Sequence, residues 1–335
     1  MTTLVSAVGN GSTEIEWADA TLNPWTGCTK VSPGCAHCYI DRTLPRVRGA
    51  GRGKFVRGDI PLEFHLDRLD RMVSRRAPTR YFVNSLSDVF HEDVPAEAHE
   101  RLFTAMRAAP QHTFMVLTKR EDRMHAVMNR LAWRSTTAEE RADRDRPVYQ
   151  RTGHQAYLHA HPTAHRDLQG APFVLPNLWL GVTIENRRFV HRADVLRGTP
   201  AAVRFISAEP LLGPLLPDAD HFIDEEHEEY PVGDAPVCAW RPWADGYRGP
   251  GLDLDLIDWL IVGGESGAQH RPFNADWARE LRDYCEMEGW ESEPPPGRDG
   301  VTAFFFKQYG GRFPKSGGRE LDGRTHDDMP KALTA

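Results

Sequence analysis

Short apolar runs recur along the chain at spacings that predict strands alternating with helices. Each run is rich in aromatic or β-branched residues and is bounded by turn residues, a pattern typical of β-strands. Because the apolar residues within each run are nearly continuous, the strands are predicted to be buried on both faces, as in a parallel sheet. The predicted strands are YFVNS from Tyr81, TFMVLTK from Thr113, LWLGVTI from Leu178, VRFISAEP from Val203, DWLIVGGES from Asp258 and AFFFKQYG from Ala303, with an earlier candidate, ATLNPW, from Ala20.

Helical periodicity occupies the intervals between these runs. The clearest helix is NADWARELRDYCEMEGW, in which Trp277, Leu281, Tyr284 and Cys285 fall on one face. Strands that alternate with crossover helices predict an α/β fold with a parallel sheet. Further helices are predicted in PAEAHERLFTAMRAA, EDRMHAVMNRLAW and NRRFVHRADVLRGT.

Two polar segments interrupt this rhythm. Residues 133–170 and 217–256 are polar, proline-rich or charged, and they are predicted to be insertions between strand–helix units. The histidines of the first segment lack accompanying cysteines and a helical register, so a solvated loop is favoured over a metal site. These histidines are His154, His159, His161 and His165.

Polar residues follow the predicted strands one after another. In a β/α barrel the carboxyl ends of the strands carry the functional site, so these residues predict one shared cavity. The strand ends in question are Asn84–Asp88, Thr118–Arg120, Thr183–Asn186, Ser207–Glu209, Gly263–Gly267 and Lys307–Gln308.

Length and cysteine usage limit the class of protein. A chain of 335 residues can bury a core without disulfides, and three of its five cysteines lie within eleven residues. Clustered thiols predict a reduced compartment and metal or redox chemistry. No signal-like segment begins the chain and no run of about eighteen apolar residues occurs, so we expect a soluble cytoplasmic protein without a membrane partner.

Charge is spread unevenly along the chain. The net charge of -7 argues against indiscriminate nucleic-acid binding by the whole surface. Residues 218–234 hold eight acids without Lys or Arg, and residues 42–58 hold six cations without an acid. Both are most simply solvated loops, although the basic one follows the cysteines and suits a polyanion such as nucleic acid. Its cations are Arg42, Arg46, Arg48, Arg52, Lys54 and Arg57.

The cysteines of TGCTKVSPGCAHCYI, residues 26–40, have the spacing C-x6-C-x2-C. A structural zinc site needs four ligands, and His37 is the neighbour that would complete the set. A 4Fe-4S cluster takes one ligand per iron, so three cysteines leave one iron open for a substrate or cofactor. The spacing by itself leaves an iron-sulfur cluster, zinc and free thiols as alternatives.

The segment NPWTGCTKVSPGCAHCYI resembles the cluster loop of the radical S-adenosylmethionine superfamily, especially its spore photoproduct lyase-like branch. There N-P-x-x-G-C leads into G-C-x-x-C-Y, with three residues fewer between the first two cysteines. With SLSDVFHE, LTKR, ISAEPLLG, IVGGESG and FFFKQYGG, the chain also resembles a family of bacteriophage and bacterial proteins grouped as radical-SAM-like. The resemblance covers most of the chain and implies a single domain, residues 1–335, folded as a partial β/α barrel of six or seven strands.

The resemblance also implies a site and a reaction. Cys28, Cys35 and Cys38 would hold three irons, and Tyr39 would flank the cluster. S-adenosylmethionine on the fourth iron would be cleaved by an electron from an external donor, giving a 5'-deoxyadenosyl radical that abstracts hydrogen. The candidate cofactor-binding residues are Ser85, Ser87 and Asp88 for the methionine ammonium group, Lys119 or Arg120 for its carboxylate, Gly263, Gly264, Glu265 and Ser266 for adenosine, and Glu209 for cofactor or substrate.

Two functions of different classes follow from these observations. The first is a radical S-adenosylmethionine enzyme, with nucleic acid or a nucleobase as the leading substrate. The alternative is a metal-binding barrel, loaded with zinc or an iron-sulfur cluster, that serves as a non-catalytic partner or scaffold protein.

Overall fold

The structure is a computed structural model that describes residues 13, 15–47, 59–133, 174–216, 242–243, 246–247, 251–287, 300–313 and 315–330. Most of both predicted insertions lies outside these ranges. So do Cys238, the four histidines of the first insertion, the acidic run and the basic segment from residue 48 to residue 58.

The described elements follow the predicted alternation of strands and helices. In chain order they are β1 (Ala20–Leu22), β2 (Trp25–Thr29), a 3-10 turn (Pro33–Cys35), α1 (Ile40–Val47), β3 (Asp59–Phe64), α2 (Asp67–Ser74), β4 (Arg80–Val83), α3 (Ala96–Arg107), β5 (Thr113–Thr118), α4 (Glu121–Trp133), β6 (Leu178–Thr183), a 3-10 turn (Arg187–Phe189), α5 (His191–Arg197), β7 (Val203–Ala208), β8 (Pro242–Trp243), β9 (Gly246–Tyr247), β10 (Trp259–Gly263), α6 (Ala275–Met287), β11 (Ala303–Gln308), β12 (Glu320–Leu321) and β13 (Arg324–Thr325).

Seven parallel strands form one curled sheet, a half-barrel, in the order β1-β4-β5-β6-β7-β10-β11. The prediction of a partial β/α barrel is therefore confirmed. In the middle of the sheet Val116 lies opposite Leu180 and Val182 opposite Ile206, while the register of β10 and β11 shifts between Val262 and Gly263. Because every strand points the same way, all seven carboxyl ends lie at one rim of the half-barrel.

The larger apolar core joins one face of the sheet to the helices. Leu180 and Ile206 of the strands pack in it with Leu102 of α3 and Leu281 of α6. Cys285 lies in the same core with 2% of its surface exposed, as its place on the apolar stripe of α6 predicts. The helices therefore cover the convex face of the half-barrel and leave its concave face open to other groups.

The concave face is filled near the amino ends of the strands by a second apolar cluster of strand residues and the segment before β1. Trp259 is fully buried at its centre, with its ring centroid 5.9 Å from that of Trp17, 6.1 Å from that of Trp179 and 5.9 Å from that of Phe305. Aromatic edge-to-face packing of this kind adds to the stabilisation from buried area. It fills the half of the concave face near the amino ends, so the half near the carboxyl ends is left to the polar strand-end residues.

An antiparallel pair, β2 and β3, and the helices α1 and α2 were not predicted. In the pair, Trp25 lies opposite Phe64 and Cys28 lies opposite Ile60. The described end of the second predicted insertion joins the main core, since Leu252 and Leu254 are buried there. Among the described residues, none of the helices has the length and apolar character needed to span a membrane.

Candidate functional site

The loop of residues 26–40, called the cysteine loop below, lies at the carboxyl rim of the half-barrel. Its first residues belong to β2, and Gly27 there has a φ of 105°, a conformation that glycine adopts without strain. The Gly27 amide donates to Leu86 O at 3.0 Å, and Ser87 Oγ donates to Gly27 O at 2.6 Å. These bonds attach the start of the cysteine loop to the segment that follows β4.

The middle of the cysteine loop is held by a buried carboxylate at the end of β6. Ser32 Oγ donates to Glu185 Oε1, and Arg192 Nη1 donates to Glu185 Oε2 at 3.1 Å. Glu185 is fully buried, and a Cβ on Gly34 would lie 2.5 Å from Glu185 Oε1. The close approach of the turn to Glu185 therefore requires glycine at position 34.

A second carboxylate, at the end of β10, holds the same turn from the opposite side. Glu265 accepts from His37 Nδ1 at 3.1 Å and from Arg271 Nη2 at 2.6 Å, while Arg271 also donates to Pro33 O at 3.0 Å. Although burial acts to raise it, the pKa of Glu265 is lowered by these hydrogen bonds from Arg271 and His37. Glu265 is therefore placed to anchor the cysteine loop, which differs from the predicted contact with ribose.

The three cysteines of the loop are reduced, partly exposed and close enough to influence one another. Burial raises the pKa of Cys28 to about 12, with further contributions from the charges of Asp88, Cys35 and Cys38. Burial likewise raises the pKa of Cys38, against the opposing charge of Lys119. Cys28 and Cys38 also pack against one small apolar cluster. For Cys28 and Cys38 burial therefore favours the protonated thiol, and metal binding there would have to release the proton.

The donor set can be compared with the needs of a single metal ion and with those of an iron-sulfur cluster. In the ranges that the structure covers, no three His, Cys, Asp or Glu side chains converge as ligands of one metal ion. His37, the predicted fourth zinc ligand, bonds Glu265 through Nδ1, an arrangement that metal-ligating histidines also have. Cluster ligands need not converge on one point, because each cysteine binds a different iron. Three neighbouring thiols on a clamped loop meet that requirement.

Arg120 follows β5 and joins the first cysteine to the barrel. Its Nη1 donates to Asp88 Oδ2 at 3.1 Å and to Cys28 Sγ at 3.8 Å. Its Nη2 donates to Thr29 Oγ1 at 2.8 Å, and its Nε donates to Glu92 Oε1 at 2.9 Å. A buried guanidinium group thus links the cysteine loop to the ends of β4 and β5.

The residues after β4 that were predicted to bind the methionine ammonium group have partners within the protein. Asp88 Oδ1 accepts from Phe90 N at 2.9 Å and from Thr118 Oγ1 at 2.7 Å. Ser85 Oγ donates to Asn23 Oδ1 at 3.3 Å, and the Ser85 carbonyl accepts from the hydroxyl of Tyr39. These contacts, like that of Ser87 with Gly27, favour a role in holding the cysteine loop.

Asn84 is a site residue that the predicted set of cofactor ligands does not include. It directly follows β4 at the carboxyl rim of the half-barrel. Its φ of 56° is left-handed, and only 3% of its surface is exposed. Neither Oδ1 nor Nδ2 has a hydrogen-bond partner in the described part of the chain. Since an unpaired buried amide is unfavourable, Asn84 is a candidate for contact with a ligand.

Lys119 faces the concave side of the half-barrel. Met115 and Leu117 of the same strand pack in the concave cluster, so the alternation of β5 turns Lys119 the same way. Its Nζ donates to Thr183 Oγ1, 3.2 Å away at the end of β6. Its charge lowers the pKa of Cys38 against the effect of burial, which places the ammonium group within electrostatic reach of the cysteines.

The ends of β7 and β11 are polar as well. Glu209 accepts from Lys307 Nζ at 2.7 Å and from Gln308 Nε2 at 3.1 Å. The hydroxyl of Tyr39 is buried where it donates to the Ser85 carbonyl, and this burial and then the charges of Cys38 and Glu209 raise the pKa of Tyr39. The residue as a whole is 46% exposed, so its ring is the part that meets solvent.

The glycines of the turn after β10 have different surroundings. A Cβ on Gly264 would collide with Tyr309 O, so this glycine serves the close packing of two strand ends. A Cβ on Gly263 would lie 3.4 Å from the Glu209 side chain, an ordinary contact distance. Ser266 Oγ is buried, and within the covered residues it has no hydrogen-bond partner. The contact of Gly263 and Ser266 with adenosine stays a prediction.

A comparison with known protein families identifies the family to which the chain belongs. The profile of a family described as "Protein of unknown function (DUF5131)" matches residues 12–330. No curated protein and no solved structure matches the chain. The function has to follow from the chemistry of the site.

Proposed function

The chain belongs to the DUF5131 family, whose description names no activity, and from its site we propose a radical S-adenosylmethionine enzyme with a 4Fe-4S cluster on Cys28, Cys35 and Cys38. The observation that carries this proposal is the grouping of three partly exposed cysteines on a loop clamped over the polar rim of a half-barrel. When bound, the cluster and S-adenosylmethionine supply a 5'-deoxyadenosyl radical for hydrogen abstraction.

The protein's own residues would position the cofactor. Lys119 is the candidate for the methionine carboxylate, because it faces the cavity and holds its charge near Cys38. Arg120 is less suited, since its N–H groups already donate to Glu92, Cys28, Asp88 and Thr29. Asn84 offers an unpaired amide oxygen to the ammonium group. Tyr39 flanks the cysteines, and the apolar floor around Trp259 excludes water from below.

Iron analysis and cofactor cleavage test the proposal together. Protein purified without oxygen is expected to be brown, to hold about four irons per chain and to cleave S-adenosylmethionine after reduction by an electron donor. Lys119→Met is expected to keep the iron and to weaken S-adenosylmethionine binding by roughly ten- to a hundredfold, the effect of losing one charge-assisted hydrogen bond.

Lys30→Met is the matched control for that variant, because Lys30 lies in the cysteine loop but bonds Ala36 O and Asp41 at the surface. Calorimetry on the reconstituted proteins gives both affinities. A colourless protein that contains zinc and leaves S-adenosylmethionine intact would support the scaffold alternative and overturn the proposal.

Nucleic acid is the substrate class that we propose for this site. Arg42, the first cation of the basic segment, is exposed on α1, and its Nη2 would lie 2.6 Å from a Cβ on Gly267 at the end of β10. The other cations of the basic segment come after Arg42 in the chain, and we propose that phosphates approach the site at this rim. A cytoplasmic location remains part of the proposal, because reduced thiols are kept there.

Salt dependence tests the substrate class. Binding of a short single-stranded oligonucleotide is expected to weaken steeply with salt, because each phosphate contact releases counterions. Replacing Arg46, Arg48 and Arg52 together with Ala is expected to reduce the log–log salt slope by about 2, since each single-strand contact contributes roughly 0.7. The matched control replaces three cations of the convex side, Arg71, Arg75 and Arg76, and is expected to leave the slope unchanged. Binding that does not depend on salt would exclude this use of the basic segment.

A further inference from the structure

All three nitrogen atoms of the Arg120 guanidinium group donate hydrogen bonds to the cysteine loop or to the segment after β4. An arginine side chain has five N–H donors, and at Arg120 they reach the oxygens of Glu92, Asp88 and Thr29 and the sulfur of Cys28. The Arg120 side chain is 4% exposed and that of Asp88 is 8% exposed. A fixed positive charge and a fixed negative charge therefore lie beside the same thiol, with little water to screen them.

We propose that Arg120 and Asp88 form a charge pair that sets the reduction potential of a cluster bound through Cys28, with Arg120 raising the potential and Asp88 lowering it. This inference rests on the proposed function, since it concerns the cluster that the cysteines would hold. Both are positioning residues in this role, because they act through the cysteine sulfur.

The direction of each effect follows from electrostatics. Reduction adds one negative charge to the cluster, so a nearby cation and an N–H bond to the ligating sulfur both favour the reduced state. A nearby carboxylate opposes reduction for the same reason. In a buried, poorly screened site, unit charges a few ångströms apart interact far more strongly than in water.

The contact between Arg120 and Cys28 is what distinguishes this role from simple anchoring. Glu92 and the two Thr29 oxygens would be enough to hold the guanidinium group against the loop, through Nε and Nη2. The Nη1 group instead bridges Asp88 Oδ2 and Cys28 Sγ.

Redox titration of the reconstituted protein, followed by electron paramagnetic resonance of the reduced cluster, tests the proposal. At a fixed potential, Arg120→Gln is expected to lower the ratio of reduced to oxidised cluster at least tenfold, and Asp88→Asn is expected to raise it. A tenfold change corresponds to about 59 mV for a one-electron couple. The double variant, which removes both charges, is expected to return towards the wild-type ratio.

Further variants separate this role from loss of structure. Arg120→Lys keeps the positive charge but not the fork of donors, so its ratio is expected to lie between those of wild type and Arg120→Gln. Arg71→Gln removes a surface cation of α2 that pairs with Asp67, and it is expected to leave the ratio unchanged. Shifts of the ratio in the same direction for Arg120→Gln and Asp88→Asn, or no shift in either variant, would overturn the inference. A wild-type protein that binds no cluster would instead refute the proposed function.

Discussion

Replacing Cys28, Cys35 or Cys38 with Ala is expected to abolish cluster binding, the largest effect of any single substitution in this chain. In the proposed site each cysteine is the ligand of a different iron, so removing one leaves two ligands for a four-iron cluster. Burial raises the pKa of Cys28 and of Cys38, so cluster binding must also release a proton from either of these thiols. With one ligand fewer, less binding free energy is available for that release.

Iron content after anaerobic reconstitution measures this effect. Cys285→Ala is the matched control, because Cys285 lies in the core of α6 with 2% of its surface exposed. That variant is expected to keep the full iron content and to lose stability as a small core truncation does. Full iron content in Cys35→Ala would show that this cysteine is not a cluster ligand and would remove the basis of the proposed function.

Replacing Glu185 with Ala is expected to lower the free energy of unfolding by about 3 kcal/mol, the lower end of the range for breaking a buried ion pair. The Glu185 side chain is fully buried, and it bonds both Arg192 and the hydroxyl of Ser32. Arg192 keeps Glu121 as a second partner at 3.0 Å, which moderates the loss. Because Ser32 loses its acceptor, the turn that carries Cys35 is also expected to loosen.

Urea denaturation and iron content measure the two consequences separately. Glu286→Ala is the matched control, since Glu286 pairs with Arg324 on the surface and its side chain is 57% exposed. Its removal is expected to change stability by about 0.5 kcal/mol or less, as for other exposed pairs. A loss in Glu185→Ala no larger than that of the control would mean that this carboxylate does not support the cysteine loop.

Most strands and helices could be predicted from local sequence patterns. The reason is that buried side chains recur along each strand or helix with the period of that element. The runs from Thr113 and Leu178 became β5 and β6, and the stripe of Trp277, Leu281 and Cys285 became α6. The pair of β2 and β3 escaped prediction, since Thr29 and its partner Asp59 are joined by a long polar segment with no turn signal of a hairpin.

The structure brings several of the predicted site residues together at the carboxyl rim, and their roles stay predictions. Polar strand ends pointed to the carboxyl rim, where the structure brings Asp88, Lys119, Glu209 and Glu265 around the cysteine loop. The sequence could not tell which of them face the cavity and which hold the loop. Asn84 went unnoticed as a ligand candidate because its unpaired state depends on neighbours from other strands.

The sequence by itself determined the strand–helix alternation and the grouping of Cys28, Cys35 and Cys38, because both depend on residues close together in the chain. Residues separated by so few bonds cannot lie far apart in space. Tertiary structure alone decided that Ser32 meets Glu185, 153 positions away, and that His37 meets Glu265, 228 positions away. Such pairs form when the parallel strands align their carboxyl ends at one rim, and that alignment comes from burial summed over the whole sheet. No local pattern around Ser32 or His37 carries that information.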